Sequence, residues 1–302
     1  MPAQRTRLSA VAGLALGLPV FVLSLALTSS AHSATLVIKD AGPAIADILD
    51  DVNAFRAALG APNNINAAGS QPGGRREINW DGVAATNGTA PVTPFLTFLN
   101  PPTTRGILLT TPGTGLQQSL PATGTNSLAD INPSYGTTFA PFSLNRVFTP
   151  VGSNITDATF FIPGTGTAVP AVINGFGAVF SDVDLANATT IQFFNPLGNS
   201  LGIFDVPAAP GTATFSFLGV IFDNQDIARV RITTGNTVLS SSATEAPGSA
   251  VDVVVMDDFL YSEPRAAVPV PASHSLVLLG IGLLAFFGRR SRRPRSGGRT
   301  QA

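Results

Sequence analysis

The sequence predicts an all-β fold: an antiparallel β-sandwich, jelly-roll-like, with one N-terminal amphipathic helix, flanked by an N-terminal signal peptide and a C-terminal transmembrane helix. Three observations carry this. Seven segments, 158–163, 171–183, 188–194, 201–206, 213–222, 227–233 and 250–261, read as strands separated by turn residues. They follow one another with no strand–helix–strand rhythm, as in a sandwich or jelly roll. Upstream, nine prolines from Pro91 to Pro150 punctuate short β-like runs, which suits edge strands and long loops and excludes long helices.

In chain order, Arg5 and Arg7 precede an apolar stretch from Leu8 to Leu27 and then small residues, Thr28 to Ala34. Basic region, apolar core and small-residue exit occur in the order of a cleaved signal peptide, assigned to residues 1–33. The domain proper is expected over 34–265. It opens with a short extended run, 34–39. A helix follows over 43–59, with Ile45, Ile48, Leu49, Val52, Phe55 and Leu59 on one face, Pro43 in its first turn and Gly60 as its stop. Residues 60–157 read as loop-rich, with β-like runs at 94–99, 106–111 and 144–148, and regular strands occupy 158–261. Ala228, Val230 and Ile232 alternate with Arg229 and Arg231, as in a half-buried strand with its arginines in solvent. Val251 to Tyr261 is apolar on both faces, as in a covered central strand. No internal repeat is present.

The whole chain has a formal charge of −1, but this conceals an asymmetry. All 18 acidic residues lie between Asp40 and Glu263, whereas the domain over 34–265 holds only Lys39 and eight arginines, leaving it at −9. Nucleic acids and anionic membrane surfaces need a cationic face, so neither is an expected partner. There is no Cys, and the only His are His32 and His274, both in the flanking segments. Nucleophiles that depend on Cys or His, ordinary zinc sites, iron–sulfur clusters and disulfides are thereby excluded from the core. The fold must rest on apolar burial, for which roughly 235 residues suffice.

Two groups remain as candidate sites. Trp80 is the only Trp and lies between Asn79 and Asp81 in the most charge-dense segment, Arg75 to Gly82. It reads either as a core anchor or as a sugar-stacking platform. Asp182 and Asp184, at i and i+2, are expected to point to one side of a strand end. Asp257 shares an apolar face with Val253, Val255 and Phe259 in an unbroken strand, with Asp258 on the opposite face. These four carboxylates are candidate ligands for a structural calcium ion, and no other cofactor is expected. The core has only three Glu: Glu77, Glu245 in a Ser/Thr/Ala loop and Glu263 at the domain exit, neither of the last two placed like a preorganised catalytic group.

The last segment, 266–302, has three parts. Val268, Pro269, Val270, Pro271 and Ala272 come first. An apolar span, 275–288, follows, and then an arginine cluster over 289–299 that begins Arg289, Arg290, Arg292 and Arg293. The apolar span with its flanks is near the minimum for a bilayer crossing, and the arginines form a basic stop on the cytoplasmic side. This order resembles the PEP-CTERM sorting signals of exported Gram-negative bacterial proteins, with Val270 where those signals most often have Glu. Residues 171–261 also look like the β-sandwich cargo found with such signals. The resemblance implies export, transient residence in the inner membrane through the C-terminal helix, and an exosortase-like enzyme that cuts near Pro271. The protein would be membrane-anchored before that cut, and at the cell surface or in the extracellular matrix after it, with exopolysaccharide as a partner. The function expected is that of a non-catalytic surface protein that binds carbohydrate. The alternatives are a secreted carbohydrate-active hydrolase that uses Asp and Glu, and an adhesion protein with a permanent tail anchor.

Overall fold

A computed structural model describes residues 35–81, 92–93, 104–119, 128–143, 146–166, 168–246 and 248–267. The expected signal peptide, the 94–99 run, the sorting motif 268–272, the apolar span and the arginine cluster lie outside the described residues. Among the described residues no helix is long and apolar enough to cross a membrane.

The described chain is mostly β, with antiparallel pairing and few helices. One sheet contains β1 (Thr35–Gly42), β12 (Phe215–Phe222), β9 (Gly175–Ser181), β14 (Val255–Ser262), β6 (Phe148–Val151), β5 (Gly115–Gln118) and β3 (Val92–Thr93), in that order. In the same sheet β2 (Arg75–Ile78) also pairs with β14. A second sheet orders β11 (Ser200–Asp205), β10 (Thr190–Phe194), β13 (Arg229–Thr233), β7 (Ile155–Phe160) and β4 (Ile107–Thr110). A two-stranded ribbon joins β15 (Arg265–Ala266) to β8 (Ala171–Val172). The helices are α1 (Ile45–Leu59) and the single turn α2 (Tyr135–Thr138).

Alternation explains how the two sheets meet. Along β9, Phe176, Ala178 and Phe180 enter the main core, and along β12 Leu218, Val220 and Phe222 do the same. Facing them from the second sheet are Ile191 and Phe193 of β10, Val230 and Ile232 of β13, Ala158 and Phe160 of β7, and Ile107 and Leu109 of β4. Inner faces of both sheets thus fill one cluster. On the outer face of the second sheet, Asp157 accepts from Arg229 Nη1 at 2.7 Å and Arg231 Nη2 at 2.7 Å, and the Arg229 guanidinium sits 3.6 Å from the Phe194 ring centre. The arginines of this strand are therefore half-exposed and engaged with their neighbours.

Several expectations need correction. The helix begins at Ile45, so Pro43 precedes it, and Ile45 and Leu49 stay exposed while Ile48, Val52, Phe55 and Leu59 are buried. The 60–157 region contains β2 and β5, which composition did not reveal; residues 144–145 lie outside the described ones, and Phe148 opens a strand that runs to Val151. The 171–183 segment breaks at Ile173–Asn174 into β8 and β9, and the final strand begins at Val255.

Helix α1 covers the outer face of the larger sheet through a specific notch. Gly177 and Gly219 are opposite each other in the β9–β12 pairing, on the face that α1 covers. A Cβ on Gly219 would come within 2.5 Å of Phe55 Cδ2, and one on Gly177 within 2.8 Å of Phe55 Cε1. The two missing side chains are what let the ring lie on the strand backbone, where it also meets Phe217 edge-on at 5.5 Å. Gly219→Ala is expected to push α1 off the sheet and to cost about 1–3 kcal/mol by overpacking, read as a lower melting temperature. An unchanged value would show that α1 docks loosely.

Candidate functional site

The charge-dense segment 75–81 builds the site. Strand β2 pairs with β14 in the register Ile78 to Phe259, Glu77 to Leu260 and Arg76 to Tyr261. Alternation then sends Arg76 and Ile78 to one face and Arg75 and Glu77 to the other, toward α1. Arg76 is fully buried and forms a bidentate pair with Glu263, Nε to Oε2 at 2.8 Å and Nη2 to Oε1 at 2.7 Å. Its remaining donors reach the carbonyls of Ile65, Ala67, Gly69 and Thr104. Glu263, expected as an unorganised exit residue, also accepts from Asn64 Nδ2 and the Gln71 amide.

Asp257 and Asp258 sit at a β-bulge. The β14–β9 register slips between Met256 and Phe259, at the point where the other neighbour of β14 changes from β6 to β2. The extra residue turns both carboxylates to the α1 side, so Phe259 lies in the main core and Asp257 does not share its face. Asp257 accepts from the Phe142 amide at 2.5 Å, the Ser143 amide at 3.3 Å and the Ser143 hydroxyl at 3.2 Å. Asp258 Oδ2 accepts from Arg56 Nη2 at 3.4 Å, and the same guanidinium donates from Nε to Glu77 at 3.1 Å.

Trp80 is 3 % exposed. Its ring stacks on Phe148 at 4.3 Å and meets Phe259 edge-on at 5.2 Å, and its Nε1 donates to the Asp257 carbonyl. The stacking-platform reading therefore gives way to the core-anchor one. What Trp80 positions is its neighbours. Its φ of 61° turns the chain out of β2, and Asn79 and Asp81 flank that turn, joined by a 2.9 Å hydrogen bond.

These elements surround a cavity of about 340 Å³ lined by Arg56, Asn63, Glu77, Asn79, Arg105, Ser143 and Asp258. Every lining side chain is a hydrogen-bonding one, and both charge signs are present. Arg105 is held by donating to the Glu77 carbonyl and to Asn66. Of this set, the sequence had singled out Asp258 as a candidate ligand and had placed Glu77 and Asn79 in the charge-dense segment around Trp80. Burial, and then the neighbouring Asp258, pushes the Asp257 carboxyl well above its ordinary range, and burial raises Asp258 and Asp81.

Asp182 and Asp184 are elsewhere, at the end of β9. Asp182 has a φ of 70°, which ends the strand; its carboxylate accepts from the Ala213 amide, and Asp184 accepts from Gly211. Glu245 and Asp252 complete this group. Glu245 accepts from the Val253 amide, and Asp252 from the amides of Asp184 and Leu185. The four residues expected to share one ion thus fall into two pairs held by different loops. Among the described residues no group of three or more His, Cys, Asp or Glu is arranged to hold a metal ion.

Residues 267–293 match the PEP-CTERM protein-sorting motif. The chain therefore carries a PEP-CTERM sorting signal, which marks an exported protein sorted by an exosortase, with a membrane-associated C-terminal sorting region. No curated protein matches the chain.

The group at the end of β9 sets a pH dependence. Burial pushes the Asp252 carboxyl up to about 6 and, with Glu245 beside it, drives Asp182 much higher. A carboxyl raised in the folded state binds a proton that the unfolded chain has released. Its stabilisation is complete below about pH 4 and fades as pH rises through the folded value. The melting temperature is expected to be higher at pH 5 than at pH 8, and Asp252→Asn should flatten that slope. A melting temperature that rises from pH 5 to pH 8 would contradict this assignment.

Proposed function

We propose that this is a cell-surface or extracellular-matrix protein whose two facing sheets form a jelly-roll-like β-sandwich, and that its polar cavity binds a saccharide of the surrounding exopolysaccharide without chemical turnover. One observation carries the reading: a cavity of about 340 Å³ lined only by hydrogen-bonding side chains. A sugar presents hydroxyls that both donate and accept, and amides, carboxylates and guanidiniums around one space match that pattern. An apolar ligand would leave those groups desolvated and unpaired. The sorting signal supplies the setting, because it directs the protein out of the cytoplasm. Exosortase cleavage near Pro271 would release the domain from its anchor.

A hydrolase is the second reading, favoured by Glu77 and Asp258 lining the same cavity. Against it, one guanidinium, that of Arg56, binds both carboxylates, which ties them into an ion-pair network. Binding without turnover fits that arrangement better.

The test is a glycan array followed by calorimetry on the best oligosaccharide. Asn63→Ala and Asn79→Ala are expected to weaken binding by about 1–3 kcal/mol each, the cost of leaving a ligand hydroxyl unpaired. No glycan bound by the folded protein would refute the saccharide reading, and product release in the same assay would favour the hydrolase. The intact mass of surface-exposed protein checks the sorting step: loss of the residues after about Pro271 is expected, and a retained tail would show a permanent anchor.

A further inference from the structure

The arginines of the domain are matched to carboxylates with one exception. Arg56 and Arg75 share Glu77, Arg76 pairs with Glu263, Arg229 and Arg231 share Asp157, and Arg265 pairs with Asp226. Arg146 feels the charge of Asp81. Arg105, in the turn before β4, forms no ion pair among the described residues, and it lines the cavity. Its acceptors are neutral oxygens: Nε donates to Asn66 Oδ1 at 3.1 Å and Nη1 to the Glu77 carbonyl, which leaves Nη2 without a protein acceptor among the described residues. The two carboxylates of the cavity do not offset it. Both are bound by Arg56, and burial raises the Asp258 carboxyl toward its neutral form. Two asparagines leave complementary groups toward the same space. Asn63 uses its Oδ1 for the Ile65 amide at 3.2 Å and keeps Nδ2, and Asn79 uses its Nδ2 for Asp81 at 2.9 Å and keeps Oδ1.

We propose that the sugar bound in this cavity is an acidic one, a uronate, whose carboxylate is the counter-ion of Arg105. The proposal rests on the saccharide reading and adds to it the charge of the ligand. A guanidinium offers planar N–H groups that fit a carboxylate, and such charge-assisted bonds are roughly twice as strong as neutral ones. A neutral hexose would set a hydroxyl against Arg105 and close the space around a cation that has no countercharge, which is costly. The ring hydroxyls of a uronate then find a donor in Asn63 Nδ2 and an acceptor in Asn79 Oδ1. The charge of the domain sharpens the choice of site. At −9 it repels an acidic polymer over most of its surface, and the guanidiniums outside the cavity are already held by Asp and Glu. Attraction is therefore concentrated where Arg105 lies.

The experiment is calorimetry on the full-length chain in detergent. The probes are short oligomers of galacturonate, glucuronate, mannuronate and guluronate, each set against its carboxyl-reduced counterpart, which keeps ring and linkage but carries a hydroxymethyl group in place of the carboxylate. At least one uronate is expected to bind about ten- to a hundredfold more tightly than its reduced form, the range of a hydrogen bond to a charged group. Arg105→Gln should lose most of that preference, and Arg231→Gln, on the outer face of the second sheet, should keep it. Should Arg105→Gln fail to fold, Arg105→Lys decides: it keeps the charge without the planar fork, so the preference should shrink, and an undiminished one overturns the proposal. A reduced oligomer that binds as tightly as its uronate, or binding confined to neutral glycans, overturns the proposal and leaves the saccharide reading standing. A preference that survives Arg105→Gln, or that disappears with Arg231→Gln, overturns it too, because the carboxylate would then sit elsewhere. No glycan of either kind bound removes the saccharide reading and this proposal with it.

Discussion

A guanidinium with no exposed surface needs an acceptor for each of its five N–H groups, and Arg76 finds them all. Two come from Glu263, at the end of the central strand β14, and the others are carbonyls of the 65–69 loop and of Thr104. Much of the site depends on this. The pair fixes β2 on β14, and β2 presents Glu77 to α1 and leads into the Trp80 turn. Removing either partner would bury an uncompensated charge, which generally costs about 3–5 kcal/mol. The long loop before β2 is thus ordered by polar contacts to Arg76, Glu263 and Pro264 rather than by a core of its own.

The second half of the domain was legible because each strand there meets a neighbour of like pattern. Strands β9, β10, β12 and β13 fall within the segments marked in the sequence, and β7 and β11 overlap theirs but begin earlier. Strand β2 was hidden because its residues are charged. Burial of Arg76 is invisible until Glu263, 187 positions away, is placed beside it. Strand β5, Gly115–Gln118, carries two glutamines that are buried and bonded to Trp80 and Asp130, so its polarity resembled a loop.

The candidate site was half legible, for a similar reason. Composition pointed to the 75–82 segment and to Asp258, and both line or support the cavity. Strict period-two reading then placed Asp257 and Asp258 on opposite faces. A bulge breaks that period, and here it falls where β14 exchanges one partner strand for another, a tertiary event with no local mark. Arg56, Asn63 and Arg105 come from three distant segments, and only the fold brings them together.

The end of the domain is fastened residue by residue. The Pro264 carbonyl accepts from the Ser70 hydroxyl, Arg265 pairs with Asp226 at 2.5 Å, and β15 hydrogen-bonds to β8 through Ala266. The sorting motif starts at the next residue. From Ala266 to the first residue of the apolar span at Ser275 there are nine residues, a tether of at most about 30 Å when fully stretched. An uncut chain would therefore keep the domain within a narrow shell of the membrane with which its sorting region associates. Severing the tail would free the domain from that shell, so proteolysis would act as a switch of range as well as of address.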